Sequence, residues 1–263
     1  MKGLSVLIAA LAIGFVVTAG PIELTLGAGP SATPLPEFNT AIGVINTWIT
    51  YLNEAFDVHP DITGAIDPVD PIGTELCLQA SEQYWPLDWL AIGGRLEYAS
   101  TETGTSGQYM ASDTSDVSVD LAFGRVSVLG TVRTIFLDAG LRLGLDLAGG
   151  YFYSFLDRDV TFEIPVEYTD AISGLPAEGS ARYSGGAFGF EAGLVLDIPI
   201  ADWFVVGSLV KYRVARIETL KSADGTSLDI DSDGAVDSVT LDGVSVAFTV
   251  SIRFDLSPDG GKE

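Results

Sequence analysis

The strongest pattern in this sequence is a strict alternation of apolar and polar side chains. Its clearest stretch is residues 244–256, where one face is apolar at every position and the other is small, polar or charged. A period of two is typical of a β-strand whose two faces meet different surroundings. These thirteen residues exceed the roughly 9–11 that a tilted strand needs to cross a bilayer, so they predict a membrane-spanning strand.

Comparable or weaker alternation occurs in seven further stretches, which we interpret as strands. They cover residues 22–29, 72–83, 90–98, 116–128, 137–147, 188–198 and 204–214. In the stretch 116–128 the apolar positions change parity after Gly124, which predicts a β-bulge at that point.

Short and long connections alternate between these eight strands. The short ones lie near 85–88, 129–134 and 199–202, and the long ones cover about 30–70, 100–115, 157–182 and 218–238. In outer-membrane barrels the strand number is even, short turns face the periplasm and long loops face outward. The sequence therefore predicts an all-β fold: an eight-stranded antiparallel up-and-down transmembrane β-barrel over residues 20–256, with a short periplasmic tail at 257–263.

The N-terminus has the features of a secretory signal peptide. Lys2 supplies a positive start, residues 4–17 are apolar, and small residues up to Ala19 offer a cleavage site. A membrane anchor is the alternative, but an apolar run of 14 residues is short of the roughly 20 that a spanning helix needs. We therefore expect residues 1–19 to be a signal peptide for Sec export.

Composition removes several classes of function. Acidic residues outnumber basic ones by 36 to 13, for a net charge of −23, so the chain would be repelled by nucleic-acid phosphates. Cys77 is the only cysteine and His59 the only histidine. This excludes an intramolecular disulfide and any metal site that requires two histidines.

A soluble β-sandwich or lipocalin-like barrel is the alternative fold. It would point its apolar face inward and present a charged, polar face to water. Here the polar positions are rich in glycine and carry sparse charges of both signs. Small side chains and paired charges fit a narrow lumen better than a solvated surface, which favours the membrane barrel.

With these features the chain resembles the small eight-stranded outer-membrane barrels, the OmpA/OmpX/OmpW-like group, over nearly its whole mature length. Its last strand is similar to the C-terminal assembly signal of such barrels, since the alternating apolar residues end at the aromatic Phe254, although residues 255–263 follow. The resemblance implies a bacterial outer-membrane location, contact with outer-membrane lipid and insertion by the barrel assembly machinery. We also expect a monomer.

Charged side chains of both signs fall on the predicted inner face. They are Glu23, Glu75, Arg95, Glu97, Arg142, Asp146, Glu191, Asp197, Lys211, Arg213, Arg253 and Asp255. The interior of an eight-stranded barrel is just wide enough for side chains to fill it. A network of ion pairs that closes the lumen is one interpretation, and a narrow or gated polar pathway is the other.

Aromatic residues mark both expected membrane interfaces. Trp85, Trp89, Trp203 and Phe254 lie at the predicted periplasmic end. Tyr98, Tyr151, Tyr153, Tyr183 and Tyr212 lie toward the predicted outer end.

Residues 37–56 depart from the strand pattern. Their apolar side chains recur at helical spacing, and asparagine, threonine and glutamate occupy the other side, which predicts an amphipathic helix in the first long loop. Membrane-surface helices usually carry lysine or arginine, and this one has neither. A cap over the barrel mouth is therefore favoured over a surface-lying helix or one that only packs its own loop together.

The loop 229–237 reads D-x-D-x-D-G-x-x-D, similar to the first nine positions of a calcium-binding loop. By that match Asp229, Asp231, Asp233, the Ala235 carbonyl and Asp237 would be calcium ligands. The glutamate of the twelfth position is missing, and a solvated acidic turn is the alternative. Acidic residues in the outer loops should in any case attract divalent cations.

Two functions follow as hypotheses. The first is a non-enzymatic outer-membrane barrel with a side-chain-filled lumen, acting in envelope integrity or surface interactions through its acidic loops. The second is a narrow porin-like or lateral transport channel for small or apolar solutes, gated by helix 37–56. A lipid-modifying enzyme would need His59 as its base, but no serine lies beside it in the sequence, so we expect no enzymatic activity.

Overall fold

The computed structural model describes residues 21–58, 61–110, 114–162, 179–229 and 238–255. Within them lie one helix, α1 (Pro36–Asp57), and ten strands. The strands are β1 (Pro21–Ala32), β2 (Thr63–Ala65), β3 (Thr74–Leu87), β4 (Leu90–Met110), β5 (Thr114–Asp138), β6 (Arg142–Phe162), β7 (Gly179–Ala201), β8 (Phe204–Ile217), β9 (Val239–Thr240) and β10 (Gly243–Asp255).

Eight of these strands form a closed antiparallel ring. The order is β1-β3-β4-β5-β6-β7-β8-β10, and the ring closes because β10 pairs with both β8 and β1. The short strands β2 and β9 pair with β4 and β8. The predicted eight-stranded antiparallel barrel, with one helix after its first strand, is confirmed. We call the end with the tight β3–β4, β5–β6 and β7–β8 connections the turn end, and the opposite end the loop end.

The barrel is much taller on one side than on the other. Strands β4 to β7, here called the wall, contain 21 to 25 residues each, whereas β1, β3, β8 and β10 contain 12 to 14. The loop predicted at 100–115 is therefore largely strand, since β4 runs to Met110. In the loop predicted at 157–182, β6 runs to Phe162 and β7 begins at Gly179, and residues 163–178 lie outside the described residues. The turn predicted at 129–134 is also wrong, because β5 continues to Asp138.

The bulge predicted at Gly124 is wrong. The pairing of β4 with β5 is continuous past this residue, and odd-numbered β5 side chains stay on the inner face from residue 117 to residue 135. What changes is the interior itself. Toward the loop end the inner residues are apolar, such as Leu121 and Phe123, and toward the turn end most of them are polar, such as Arg125 and Ser127, although Leu129 is also buried there.

Helix α1 forms where the sequence predicts it. Its buried side chains, Phe38, Ile42, Ile49, Leu52 and Phe56, recur at intervals of three, four and seven residues and so share one face. Pro36 stands in the first turn, where its missing N–H costs no hydrogen bond. Among the described residues no helix is both long enough and apolar enough to cross a bilayer.

The outer face of the barrel toward the turn end is apolar and uncovered. Large side chains exposed there include Leu26, Leu78, Ile92, Val128, Val132, Leu145, Leu147, Leu194, Leu196, Val210, Val250 and Ile252. The most exposed are Phe188 at 79%, Phe190 at 72% and Phe248 at 71%. We call this surface the apolar belt. Monomeric soluble proteins rarely expose contiguous apolar surface on this scale.

Candidate functional site

The lumen contains a connected series of ion pairs, which starts at the turn end. Arg133 lies 3.3 Å from Asp146, 3.6 Å from Asp197 and 3.8 Å from Glu23. Arg253 lies 3.0 Å from the other oxygen of Glu23. These five residues form the turn-end group, and all but Arg253 are almost completely buried.

Arg95 joins this group to a second one nearer the loop end. Its guanidinium lies 2.6 Å from Asp146, 2.7 Å from Glu191 and 2.8 Å from Glu97. Lys211 contacts both Glu97 and Glu191, and Arg213 lies 3.0 Å from Glu191. All these side chains are at most 1% exposed.

Arg125 completes the loop-end group. It donates to Glu75 at 3.1 Å, and the Thr33 hydroxyl donates to the same carboxylate oxygen at 2.9 Å. Arg213 in turn donates to the Thr33 hydroxyl at 3.4 Å. We define the loop-end group as Arg95, Arg125, Lys211, Arg213, Glu75, Glu97 and Glu191.

The two groups together are electrically neutral. Six carboxylates (Glu23, Glu75, Glu97, Asp146, Glu191 and Asp197) face six cations (Arg95, Arg125, Arg133, Lys211, Arg213 and Arg253). Removing an isolated charge from water costs several kcal/mol or more, so buried ions persist only with partners. The lumen is thus balanced, although the whole chain carries −23.

The structure brings together most, but not all, of the lumen residues expected from the sequence. Glu23, Glu75, Arg95, Glu97, Asp146, Glu191, Asp197, Lys211 and Arg213 are buried inside, and Arg253 lies at the turn-end mouth with 22% of its side chain exposed. Arg142 is not part of the cluster, because it pairs with the exposed Asp138 beside the turn. The side chain of Asp255 lies outside the described residues.

Two lumen cations, Arg125 and Arg133, were not expected. Arg125 directly follows the bulge predicted at Gly124, and Arg133 lies in the turn predicted at 129–134. The predicted inner face therefore contains neither arginine. An unbroken period of two through β5 would have identified them, since both are odd-numbered like the other inner residues of that strand.

A tryptophan closes the turn end of the lumen. Trp85 is 5% exposed and packs with Ala91 and Ile135, and the Arg253 guanidinium lies 4.8 Å from its ring centre. Its expected place in the membrane-facing girdle is therefore wrong, because odd-numbered residues of β3 face inward. Trp89, Trp203 and Phe254 do lie on the outside, at 53%, 60% and 45% exposure.

The aromatic residues expected toward the loop end also divide between the two faces. Tyr151, Tyr153 and Tyr212 are exposed, and Tyr98 is half-buried. Tyr183 instead packs against the apolar core inside the barrel.

Helix α1 fills the loop end of the barrel. Phe38 packs against Phe123 of the wall with 5.1 Å between ring centres, and Phe56 packs against Tyr109 with 4.4 Å, each pair in a tilted arrangement. Leu220 and Leu241, from the connection between β8 and β10, are also buried in this apolar core. The helix therefore packs on the inner face of the wall, above the ion pairs. Together with residues 61–73, it is called the cap below.

Three asparagines on α1 hold the second part of the cap. The side-chain amide of each asparagine makes two hydrogen bonds to the backbone of one residue: it accepts from the N–H and donates to the carbonyl. The partners of Asn39, Asn46 and Asn53 are Ile72, Val69 and Ile66, respectively. For Asn46, the Val69 N–H donates to its oxygen at 2.7 Å and its NH₂ donates to the Val69 carbonyl at 2.9 Å. We call this arrangement the asparagine ladder.

The asparagine ladder keeps its register because the spacing of the asparagines along the helix nearly equals the spacing of their partners along the extended segment. Seven residues of α-helix rise about 10.5 Å, and three residues of extended chain span about 9–10 Å. The partner segment reads Ile-Asp-Pro-Val-Asp-Pro-Ile over residues 66–72, so every third residue is apolar and buried. Thr103 and Thr105 of β4 donate to the carbonyls of Asp70 and Asp67 on its other side.

Tyr109 connects the ladder to the wall, because its hydroxyl donates to the Asn53 side-chain oxygen. Burial raises the pKa of Tyr109 to about 12, against about 10 for a tyrosine in an unfolded chain. Between these two values the folded state keeps a proton that the unfolded state has lost, so stability falls as the pH rises.

We therefore expect a late ionisation step from Tyr109 in a titration followed by absorbance near 295 nm. Tyr109→Phe should remove that step. A wild-type titration that is complete by pH 11 would contradict this expectation.

The remaining candidate chemistry lies mainly outside the described residues. His59 and residues 230–237 of the proposed calcium loop, including Asp231, Asp233, Ala235 and Asp237, fall in this category, and Asp229 is exposed at the edge of that gap. In the part of the chain that the structure describes, no group of three or more histidine, cysteine, aspartate and glutamate side chains is arranged to hold a metal ion.

Comparison with known proteins gives similarity of shape alone. No protein-family model matches the sequence, and no curated protein matches it significantly. Among solved structures, the chain is similar to the outer membrane protein OprG of Pseudomonas aeruginosa (10% identity, TM-score 0.43, covering 90% of this chain and 96% of OprG). It is also similar to Ail, the attachment invasion locus protein of Yersinia pestis (11%, 0.42, 90% and 100%). A third is the translocator domain of the autotransporter NalP from Neisseria meningitidis (12%, 0.35, 96% and 95%). OprG and Ail are small outer-membrane barrels, the class that the sequence resembles, but at these scores the architecture rests on the strand pairing of this chain itself.

Proposed function

We propose that the chain is an outer-membrane barrel whose lumen is closed and which acts through its loop end. The apolar belt supports a membrane location, because its exposed leucine, valine, isoleucine and phenylalanine side chains match a hydrocarbon environment. Trp89, Trp203 and Phe254 on one side of the belt, and Tyr151, Tyr153 and Tyr212 on the other, fit the two interfaces.

The closed lumen is supported by one observation: two successive layers of side chains, the ion pairs and the cap, fill the barrel. Ion pairs with side chains at most 6% exposed occupy the interior from Asp197 up to Arg125, and the cap occupies the space above them. Solute would have to break several buried ion pairs, each of which is costly to open. A permanently open pathway is therefore disfavoured.

A role in envelope integrity or surface interactions fits the outward-facing polar surface. Above the apolar belt, the outer face of the wall carries exposed acidic residues, among them Glu102, Asp120 and Asp159. In the proposed orientation this surface faces lipid head groups or the external medium, and its charge would attract divalent cations. Insertion by the barrel assembly machinery and a monomeric state belong to the same proposal.

The test is ion conductance of the refolded protein in a planar bilayer. Ala32 and Thr74 are partners in the pairing of β1 with β3, so residues 34–73 can be replaced by Asn-Gly, which together with Thr33 makes a three-residue hairpin loop and does not separate the strands. Thr33 is kept because it contacts Glu75 and Arg213. We expect both the full chain and this cap-deleted variant to be silent, since the ion pairs remain.

The alternative is a channel gated by the cap, and one observation favours it: the cap is a separate layer, held mainly to the wall. Steady conductance of the full chain would overturn the closed lumen. Conductance that appears only after cap deletion would make the cap a gate. Shift of the folded band on heating in gel electrophoresis controls for correct refolding of both proteins.

A further inference from the structure

Arg125 is the least satisfied cation of the lumen. Its side chain is fully buried, yet of its donors only Nη1 has a partner, Glu75. The Nε and Nη2 groups have no hydrogen-bond partner among the described residues. Leaving a charged donor buried and unpaired costs more than the 1–3 kcal/mol or so typical of a neutral group, so these N–H groups require a partner.

A second cation with a free donor lies close to it. Arg213 and Arg125 both reach the Thr33–Glu75 pair, through contacts of 3.4 Å and 3.1 Å, and Nη2 of Arg213 is also buried without a partner. The carboxylate nearest to Arg213, Glu191, is shared with Arg95 and Lys211. The loop-end group as defined above has four cations for three carboxylates, and among the described residues only Arg95 of the four reaches a carboxylate outside the group, Asp146 at 2.6 Å.

Hydroxyl groups surround the same place. Ser154 stands directly opposite Arg125 in the pairing of β5 with β6, and Ser127 is the next inward residue of β5. Both are fully buried, and both hydroxyls lack a partner among the described residues. A serine hydroxyl can donate one hydrogen bond, and a guanidinium can only donate. The free groups of the two arginines and the two serines are therefore all able to donate, while Oε1 of Glu75, on the carboxylate that Arg125 contacts, is a free acceptor among the described residues.

We propose that Arg125, Arg213 and the neighbouring serines bind one small monovalent anion of the halide class inside the barrel. The anion accepts from the free N–H groups of the two arginines and from Ser154 and Ser127, which the carboxylates of the lumen leave without a partner among the described residues. Water would also accept these hydrogen bonds, but an anion accepts them more strongly because two of the donors are charged guanidinium groups. The apolar core at Phe38 and Phe123 lies above the site and excludes larger hydrated ions.

The test uses the full chain, refolded in detergent and unfolded by heat in sodium chloride or in sodium gluconate at equal ionic strength. We expect the unfolding temperature to be higher in chloride by about 3–6 °C at a concentration well above the dissociation constant. In crystals soaked in sodium bromide, an anomalous peak should lie within hydrogen-bond distance of Arg125.

Matched variants separate the site from general salt effects. The double variant Arg125→Met/Glu75→Gln removes one charge of each sign, so it leaves no orphan ion, and it should lose the difference between chloride and gluconate. Arg142→Met, at the exposed pair near the turn, should keep that difference. Equal unfolding temperatures in the two salts for the wild type, or crystals with no bromide at Arg125, would mean that the site holds water only and would overturn the proposal. Both readouts are independent of whether the barrel conducts.

Discussion

Replacing Arg95 by leucine should lower the free energy of unfolding by about 3–5 kcal/mol. Arg95 lies within 2.8 Å of three carboxylates, those of Glu97, Asp146 and Glu191, and all four side chains are buried. Leucine fills part of the space, but the three buried carboxylates lose one of the positive charges that compensate them. Urea unfolding of the protein in lipid vesicles, followed by tryptophan fluorescence, measures the change.

Arg142→Leu is the matched control for this prediction. Arg142 forms an ion pair with Asp138 at 3.1 Å, but the Asp138 side chain is 56% exposed. Exposed pairs contribute roughly 0–1 kcal/mol, so the control should unfold close to the wild-type midpoint. Similar losses in Arg95→Leu and Arg142→Leu would show that the lumen ion pairs are no more important than surface pairs.

Replacing Asn46 by alanine should destabilise the cap by about 2–6 kcal/mol, since two buried backbone groups lose their partner at about 1–3 kcal/mol each. Val69 is 2% exposed, so water does not replace the amide. The cap can open without the barrel, and global unfolding would miss such an event. Hydrogen exchange at the Val69 amide reports it directly, and its protection should fall by at least about thirtyfold.

Thr47→Ala, one position along the helix, is the control for Asn46→Ala. Thr47 is exposed and its hydroxyl donates only to the Gly43 carbonyl of its own helix, so the change should be within about 0.5 kcal/mol. Unchanged protection of Val69 in the Asn46 variant would show that apolar packing alone holds the segment.

The barrel could be predicted because alternation along each strand reports its two faces independently of distant contacts. In β10 every predicted inner and outer position from 244 to 254 agrees with the structure. Alternation alone is ambiguous where the surroundings change along one strand. In β5 the exposed apolar side chains of the belt and the buried apolar side chains near the cap lie on opposite faces, and this produces the same sequence pattern as a β-bulge.

The site could be predicted less well, although two of its signals were present. Trp85 is an odd-numbered residue of β3, like Glu75, which is expected to face inward, so the burial of Trp85 follows from the alternation of the strand. The asparagine ladder also has a sequence signature: asparagines at intervals of seven beside apolar residues at intervals of three. The pairing itself was not predictable, because nothing local tells which distant segment a polar helix face meets.

The ladder also restricts how this cap can change during evolution. A single residue inserted into α1 rotates the following asparagines by about 100° around the axis, and one inserted into residues 66–72 moves every following backbone unit out of register. Length can change without loss of contacts only when a seven-residue unit of helix and a three-residue unit of the partner segment are added or removed together. Cap height is thus quantised, in steps of about 10 Å.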